Sequence, residues 1–139
     1  MADVRRHGNI VGFWGTLATD GQTPLTENVQ AGEFSRPQYV GQYGGDFAIY
    51  VYSNVANTVT LYTAHSSQLT TEGSDPGRVA PPWNYFYPTA FSDPNLTASY
   101  TLSPGVGISL LIPRFVPGWT MLKATGSSQL YAGWELATT

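Results

Sequence analysis

The chain has 139 residues and a mass of 15.0 kDa, which suits one domain with a core of its own. Its net charge is −3, and its six basic residues are scattered except for Arg5 and Arg6, so nucleic acid is not predicted as a partner. The absence of cysteine excludes disulfides and thiolate metal sites. Without a membrane-spanning apolar run or an N-terminal signal core, the sequence predicts synthesis in a cytosol and no membrane partner.

Residues 1–45 differ in composition from the rest of the chain. Residues 9–16 read as one strand, and the remainder is rich in Gly, Gln, Pro and Tyr with apolar residues spaced singly. One interpretation is an extended arm that packs on a neighbouring subunit. The alternative is a strand followed by a long loop wrapped on its own domain, although loops of that length are uncommon in compact domains.

Residues 47–52 and 58–63 alternate between apolar and polar side chains, and turn-forming residues 53–57 separate them. This pattern predicts a β-hairpin. One face of the hairpin is predicted to hold the apolar side chains Phe47, Ile49, Val51, Val59 and Leu61. The other face is predicted to hold Tyr50, Tyr52, Thr60 and Tyr62.

Residues 65–94 contain a series of turn signals, and within them 83–91 is the densest aromatic stretch of the chain. Exposed aromatic side chains there would anchor a protein interface or stack on a sugar; alternatively, they cap the open end of the domain. Aromatic residues of this stretch and of the arm are the predicted contact residues: Trp14, Tyr39, Tyr43, Trp83, Tyr85, Phe86, Tyr87 and Phe91.

The final third returns to alternating strands at 97–102, 107–112, 119–124 and 128–137, separated by Pro and Gly. With the earlier strands this makes seven or eight elements and no helix. Residues 46–139 are therefore predicted to form an all-β domain, an antiparallel β-sandwich of jelly-roll-like form, with residues 1–45 as its arm.

Reactive side chains are few. The only imidazoles are His7 and His65, and no catalytic motif surrounds either of them. Asp75 and Asp93 each precede a proline in a turn, where a carboxylate usually caps backbone amides. We therefore predict no catalytic residue, no metal site and no cofactor, and a protein that is not an enzyme.

The combination of an irregular N-terminal arm, a cysteine-free β-sandwich and a Pro-rich aromatic loop resembles the small decoration (cement) proteins and related head proteins of tailed bacteriophages. The resemblance is one of architecture and composition, strongest over 47–63 and 107–137, and it carries over no functional residue. It implies a virion protein of the outer capsid surface, assembled in the host cytoplasm. It further implies a homotrimer that binds the major capsid protein and strengthens the shell.

A second hypothesis comes from a different functional class. In a carbohydrate-binding or host-adhesion module, Trp83, Tyr85 and Tyr87 would stack on sugar rings. The sequence leaves both hypotheses open.

Overall fold

The computed structural model describes residues 12–20, 22–39, 47–65, 83–91, 98–112 and 118–136. These ranges hold one 3₁₀ turn, Trp83–Tyr85, and eleven strands. The strands are β1 Thr16–Leu17, β2 Pro24–Leu25, β3 Glu27–Val29, β4 Gln38–Tyr39, β5 Phe47–Ser53, β6 Asn57–His65, β7 Tyr87–Pro88, β8 Ser99–Leu102, β9 Ile108–Ile112, β10 Gly118–Ala124 and β11 Ser128–Leu136. Within these ranges no helix is long and apolar enough to cross a membrane.

The strands form two main antiparallel sheets and a short hairpin. A four-stranded sheet has the order β3-β11-β5-β9, and a five-stranded sheet has the order β4-β10-β6-β7 with β8 also on β6. Ile49 and Val51 of the first sheet share one apolar core with Leu61 and Leu122 of the second, and all four are fully buried. The predicted all-β, antiparallel class is confirmed.

The predicted hairpin of residues 47–63 is wrong in its pairing, but Ile49, Val51, Val59 and Leu61 are buried as predicted, while the side chain of Phe47 lies outside the described residues. β5 pairs with β11 and β9, whereas β6 pairs with β10, β7 and β8, so the connection 54–56 crosses from one sheet to the other. Each strand has an apolar face, and placing the strands on opposite sides of the core buries both faces against each other. Tyr50 and Tyr62 consequently lie on opposite outer faces and do not share one.

The same change of sheet occurs from β8 to β9 and from β10 to β11. One buried side chain joins two of these connections: Asn57, at the start of β6, donates from Nδ2 to the Gly126 carbonyl and the Ser128 hydroxyl, at 2.9 and 2.8 Å. Its Oδ1 accepts from the backbone N–H groups of Thr58 and Gly126, both at 2.8 Å. All four hydrogen-bonding positions of this amide are used.

The described residues of 12–39 pack on the sheets formed by the rest of the chain. This agrees with the alternative interpretation of residues 1–45, a segment wrapped on its own domain. β3 pairs with β11 and β4 with β10, so this segment contributes a strand to each sheet. A boundary between arm and domain at residue 45 would therefore cut through both sheets. Trp14 forms a bridge with Ala132 and is buried in the main core. The segment covers edges of β10 and β11 that would otherwise present unpaired main-chain groups. Residues 1–11, 21 and 40–45 of the predicted arm lie outside the described residues.

Arg36 ties this segment together on the β3–β4 side. Its guanidinium donates to the carbonyls of Gly12 and Gly15, both at 3.2 Å, and forms a 2.8 Å ion pair with Glu27. Burial raises the pKa of Glu27. The hydrogen bonds from Arg36 and from the Gly15 N–H, together with the positive charge of Arg36, lower that pKa by more than burial raises it, so the pKa is lowered overall. The carboxylate of Glu27 is thus held ionised at this edge.

Asp20 closes the turn between β1 and β2. Its carboxylate accepts from the backbone N–H groups of Gln22 and Thr23, at 2.8 and 2.9 Å, and from the Thr23 hydroxyl at 2.6 Å. These hydrogen bonds lower the pKa of Asp20 to about 2, and the bond from the Thr23 hydroxyl has the largest effect. Because the pKa of Asp20 is lower in the folded chain than in the unfolded one, its ionised carboxylate stabilises the fold at pH values above the ordinary carboxyl pKa. This stabilisation is lost as the pH falls through about 2.

Replacing Thr23 with valine is expected to raise the pKa of Asp20 toward its ordinary value of about 3.9, because the largest cause of the depression is removed. An NMR titration of the Asp20 side-chain carboxyl carbon measures the change. Thr26→Val, at an exposed threonine with no bond to Asp20, should leave the midpoint at about 2. An unchanged midpoint in Thr23→Val would contradict this assignment.

Candidate contact surface

A second apolar cluster lies on the outer face of the five-stranded sheet. Along β6, Leu61 and Thr63 face the main core, so Tyr62 and Ala64 face outward. Ala64 packs with Trp119 and Met121 of β10, its neighbour in the sheet. Partly buried Phe34, Tyr39 and Tyr62 pack against this cluster. Both faces of this sheet are therefore apolar over part of their area, which is unusual for an antiparallel sheet with one face toward solvent.

The aromatic segment 83–91 runs along the edge of this sheet, beside β6, and reaches the cluster through one side chain. Phe86 is 7% exposed and packs into the cluster, while β7 pairs with β6 and the Thr89 N–H donates to the Leu61 carbonyl at 3.0 Å. Tyr85 and Tyr87, on either side of Phe86, are 48% and 45% exposed. The buried phenylalanine and the main-chain bonds fix a segment that holds two tyrosines at the surface.

Half-buried aromatic rings lie on the outer face of the five-stranded sheet, against the second apolar cluster. The rings of Phe34 and Tyr62 meet edge to face at 5.2 Å between centroids, and those of Tyr39 and Trp119 are 5.3 Å apart. The Nζ of Lys123 lies 5.3 Å from the centroid of the Phe34 ring, within the range of a cation–π contact. We call the half-buried rings of this face the aromatic surface, and it consists of Phe34, Tyr39 and Tyr62.

Hydroxyl groups border the aromatic surface on the same sheet face. Thr58 and Thr101 are hydrogen-bonded through their hydroxyls at 3.0 Å, and Thr60 and Ser99 at 2.8 Å. These cross-strand pairs stabilise the contact between β6 and β8. The face therefore passes from aromatic to hydroxyl-bearing along β6.

The structure divides the predicted contact residues between core and surface. Trp14 and Phe91 are buried in the main core, and Phe86 in the second cluster, so these three contribute to packing within the chain. The reason is their large apolar area, which burial in the fold removes from water. The remaining predicted residues are either at the surface or outside what is described.

Tyr85 and Tyr87 are exposed, and Tyr39 is partly buried beside Trp119. The backbone of Trp83 opens the 3₁₀ turn, but its side chain lies outside the described residues, as does all of Tyr43. The two interpretations of 83–91, as a cap on the domain and as a contact surface, thus apply to different residues of the stretch. Phe86 and Phe91 are buried, whereas Tyr85 and Tyr87 are exposed.

Sequence reasoning missed Phe34, Trp119, Met121 and Lys123 as parts of this face. A signal for it was present in β10, where Thr120, Leu122 and Ala124 make one face and Trp119 and Met121 make the other apolar as well. A strand with two apolar faces predicts cover on both sides. Phe34 had no comparable signal, because its place beside Lys123 depends on a bridge between residues distant in sequence.

The outer face of the four-stranded sheet also carries tyrosines. The rings of Tyr50 and Tyr131 are 6.2 Å apart, and Tyr52 pairs with Tyr131 across the strands. A Cβ on Gly107 would overlap the Tyr50 ring. The glycine therefore lets that ring lie close to the backbone.

Among the described residues, no three His, Cys, Asp or Glu side chains are grouped so that they could hold a metal ion. Comparison of the chain with known protein families, with curated proteins and with solved structures finds no match. Its function is therefore inferred from the sheets and the surfaces described above.

Proposed function

We propose that this chain is a structural virion protein that decorates the outer surface of a phage capsid and stabilises the shell through non-covalent contacts. We further propose that its fold is a jelly-roll sandwich. In support, one sheet has the order β3-β11-β5-β9 and the other β4-β10-β6-β8, and the chain changes sheet at every step through these eight strands except from β6 to β8. Double-sheet jelly rolls of eight antiparallel strands are used by viral capsid and lectin domains.

The observation that carries the proposal is the pair of exposed tyrosines, Tyr85 and Tyr87, on a segment anchored by Phe86. Tyrosine is enriched where proteins meet, because its ring supplies a large contact area with few rotatable bonds. A fixed segment loses little entropy on binding. The proposed partner at this surface is the major capsid protein, and the proposed assembly is a homotrimer formed in the host cytoplasm.

The double variant Tyr85→Ser, Tyr87→Ser is expected to bind the capsid at least about tenfold more weakly than the wild type, because both exposed rings are lost. Particles of the virus whose genome encodes the chain, prepared without it, are mixed with purified protein and sedimented. The bound fraction is measured across protein concentrations.

Tyr52→Ser is the matched control, since it removes a partly exposed tyrosine from the four-stranded sheet, on the other side of the molecule. Its binding should equal that of the wild type. The proposal fails if the wild type does not co-sediment with these particles. It also fails if the chain is missing from purified virions by mass spectrometry.

A carbohydrate-binding or host-adhesion module is the second candidate, favoured by the exposed tyrosines and by Tyr62, which lies on the sheet face that also carries the Thr58–Thr101 and Thr60–Ser99 hydroxyl pairs. Aromatic rings beside hydroxyl groups suit a sugar, which has apolar faces and polar edges. A glycan array separates the two: saturable binding to a glycan that the double tyrosine variant loses would favour this function.

A further inference from the structure

The described residues of 12–39 are tied to one another, and we call them the N-terminal unit. Within the unit, β1 and β2 pair with each other. Arg36, near the end of the unit, bonds to the carbonyls of Gly12 and Gly15 near its start. It also forms the ion pair with Glu27 of β3. These contacts need no other part of the chain, so they are kept wherever the unit is docked.

The described residues of 47–136, which we call the body, contain both sheets without the unit. In the body, β11, β5 and β9 form one sheet, and β6 with β10, β7 and β8 forms the other. β3 and β4 of the unit are each the outermost described strand of a sheet, on β11 and β10. Removing the unit would therefore break no pairing among the described strands of the body.

The body nevertheless needs the unit to complete its core. Phe13, Trp14 and Val29 of the unit are at most 1% exposed and belong to the main core. Docking removes their apolar area from water, which stabilises the docked state. Without a docked unit, the body would expose the matching core side chains and the edges of β10 and β11. This place is therefore filled either by the unit of the same copy or by the unit of another.

The contact between unit and body is also where hydrogen bonding is incomplete. Among the residues that the structure describes, two buried side-chain polar atoms have no hydrogen-bond partner, the Nε1 atoms of Trp14 and Trp119. Trp14 of the unit bridges to Ala132 of the body, and Trp119 of the body pairs with Tyr39 of the unit. A buried donor without a partner destabilises the contact in which it lies. We therefore expect the fold to open first between unit and body.

We propose that copies of this chain exchange their N-terminal units, so that the unit of one copy docks on the body of the next. The inference rests on the proposed function for the homo-oligomer in which the exchange takes place. A second copy fits this place because it supplies the same strands and the same core side chains. Exchange of an identical element is a low-cost route to an oligomer, since every contact of the docked unit is kept. Repeated around a ring of three copies, the exchange closes a trimer.

The covalent link between unit and body limits which copies can exchange. It runs from Tyr39, the end of β4, to Phe47, the start of β5. An extended chain of that length reaches at most about 28 Å. Only copies that lie side by side can therefore exchange units, as they do in a closed oligomer.

The absence of cysteine from the chain allows a direct test by disulfide cross-linking. Asn28 in β3 of the unit and Gln129 in β11 of the body are exposed and lie opposite each other in register. Residues so placed in an antiparallel pair are at a separation that a disulfide spans. Chains with Asn28→Cys and chains with Gln129→Cys are expressed together, purified together and oxidised.

If units are exchanged, the disulfide joins two chains. A non-reducing gel is then expected to show a product of twice the 15.0 kDa chain mass. It should contain about half of the chains, because in a randomly mixed ring half of the units dock on a body of the other kind. Circular dichroism checks that both variants keep their strands.

Thr58→Cys and Thr101→Cys are the matched control pair, since these residues face each other in register on β6 and β8, both within the body. Chains mixed in the same way should stay at 15.0 kDa, because exchange of the unit leaves both positions in one body. The double variant Asn28→Cys, Gln129→Cys shows whether the two positions react with each other.

Two results would overturn the inference. One is a double variant that loses its thiols on oxidation but stays at 15.0 kDa, while the mixed chains give no linked product. The other is a double variant whose thiols survive oxidation, because β3 and β11 would then not be paired at all. Linked chains that do not bind capsid particles would refute only the proposed function, and particle binding without linked chains would refute only the exchange.

Discussion

Replacing Asn57 with alanine is expected to lower the free energy of unfolding by about 3 kcal/mol. The side chain is 6% exposed and makes four hydrogen bonds, to Thr58, Gly126 and Ser128. Each such bond has a modest net effect, but buried groups left without a partner add a desolvation cost. Since alanine has no polar atom, the variant removes every bond and leaves those partners unsatisfied.

The effect is large because of where Asn57 lies. It follows the 54–56 connection and bonds to the 125–127 connection, so it holds together two places where the chain changes sheets. Both connections are short and largely exposed. Their geometry therefore depends on side-chain hydrogen bonds to the backbone.

Asn54→Ala is the matched control. Asn54 is exposed, and its side chain accepts one hydrogen bond, from the Gln129 N–H at 2.8 Å, so its loss should cost less than about 1 kcal/mol. Urea unfolding followed by tryptophan fluorescence measures both variants, and equal m-values show that the comparison concerns stability. Equal losses in the two variants would refute the role assigned to Asn57.

Replacing Gly15 with alanine is expected to cost a similar amount, about 3 kcal/mol, because two penalties combine. Its φ of +77° is in the left-handed region that residues with a Cβ rarely adopt. The added Cβ would also overlap the backbone carbonyl oxygen of Leu25 and lie 3.0 Å from a Tyr131 ring carbon. Backbone cannot move aside as a flexible side chain can.

Gly32→Ala isolates the first of these penalties. Gly32 has a φ of +81° and no atom within 4 Å of the position that a Cβ would take, so the expected loss is only about 1 kcal/mol. Thermal and urea unfolding of the two variants give the difference. If Gly15→Ala is no less stable than Gly32→Ala, the close approach of Gly15 to Leu25 does not constrain the fold.

The Gly15 variant should have a second consequence. The Gly15 carbonyl accepts from Arg36, and its N–H donates to Glu27 at 2.6 Å. A shift of this backbone would loosen the ion pair between those residues. We therefore expect the pKa of Glu27 to rise in Gly15→Ala relative to the wild type, since two bonds that hold its carboxylate ionised would weaken.

The sequence by itself determined the all-β class and most of the core faces. Alternation in β5 and β6 correctly predicted that Ile49, Val51, Val59 and Leu61 are buried, because side chains of a strand point to opposite faces in turn. It also located the exposed tyrosines within one stretch. The sequence did not show which rings of that stretch are exposed, since burial there depends on contact with strands that are distant in sequence.

Only the tertiary structure decided which strands pair. Alternation is the same whether β5 and β6 form a hairpin or face each other across a core, and the choice depends on the distant strands β10 and β11, with which they pair. The same applies to residues 12–39, whose isolated apolar residues have no period. Their place became clear only from pairing with β10 and β11 and from the Arg36 contacts, because main-chain hydrogen bonds between distant segments leave no local pattern in the sequence.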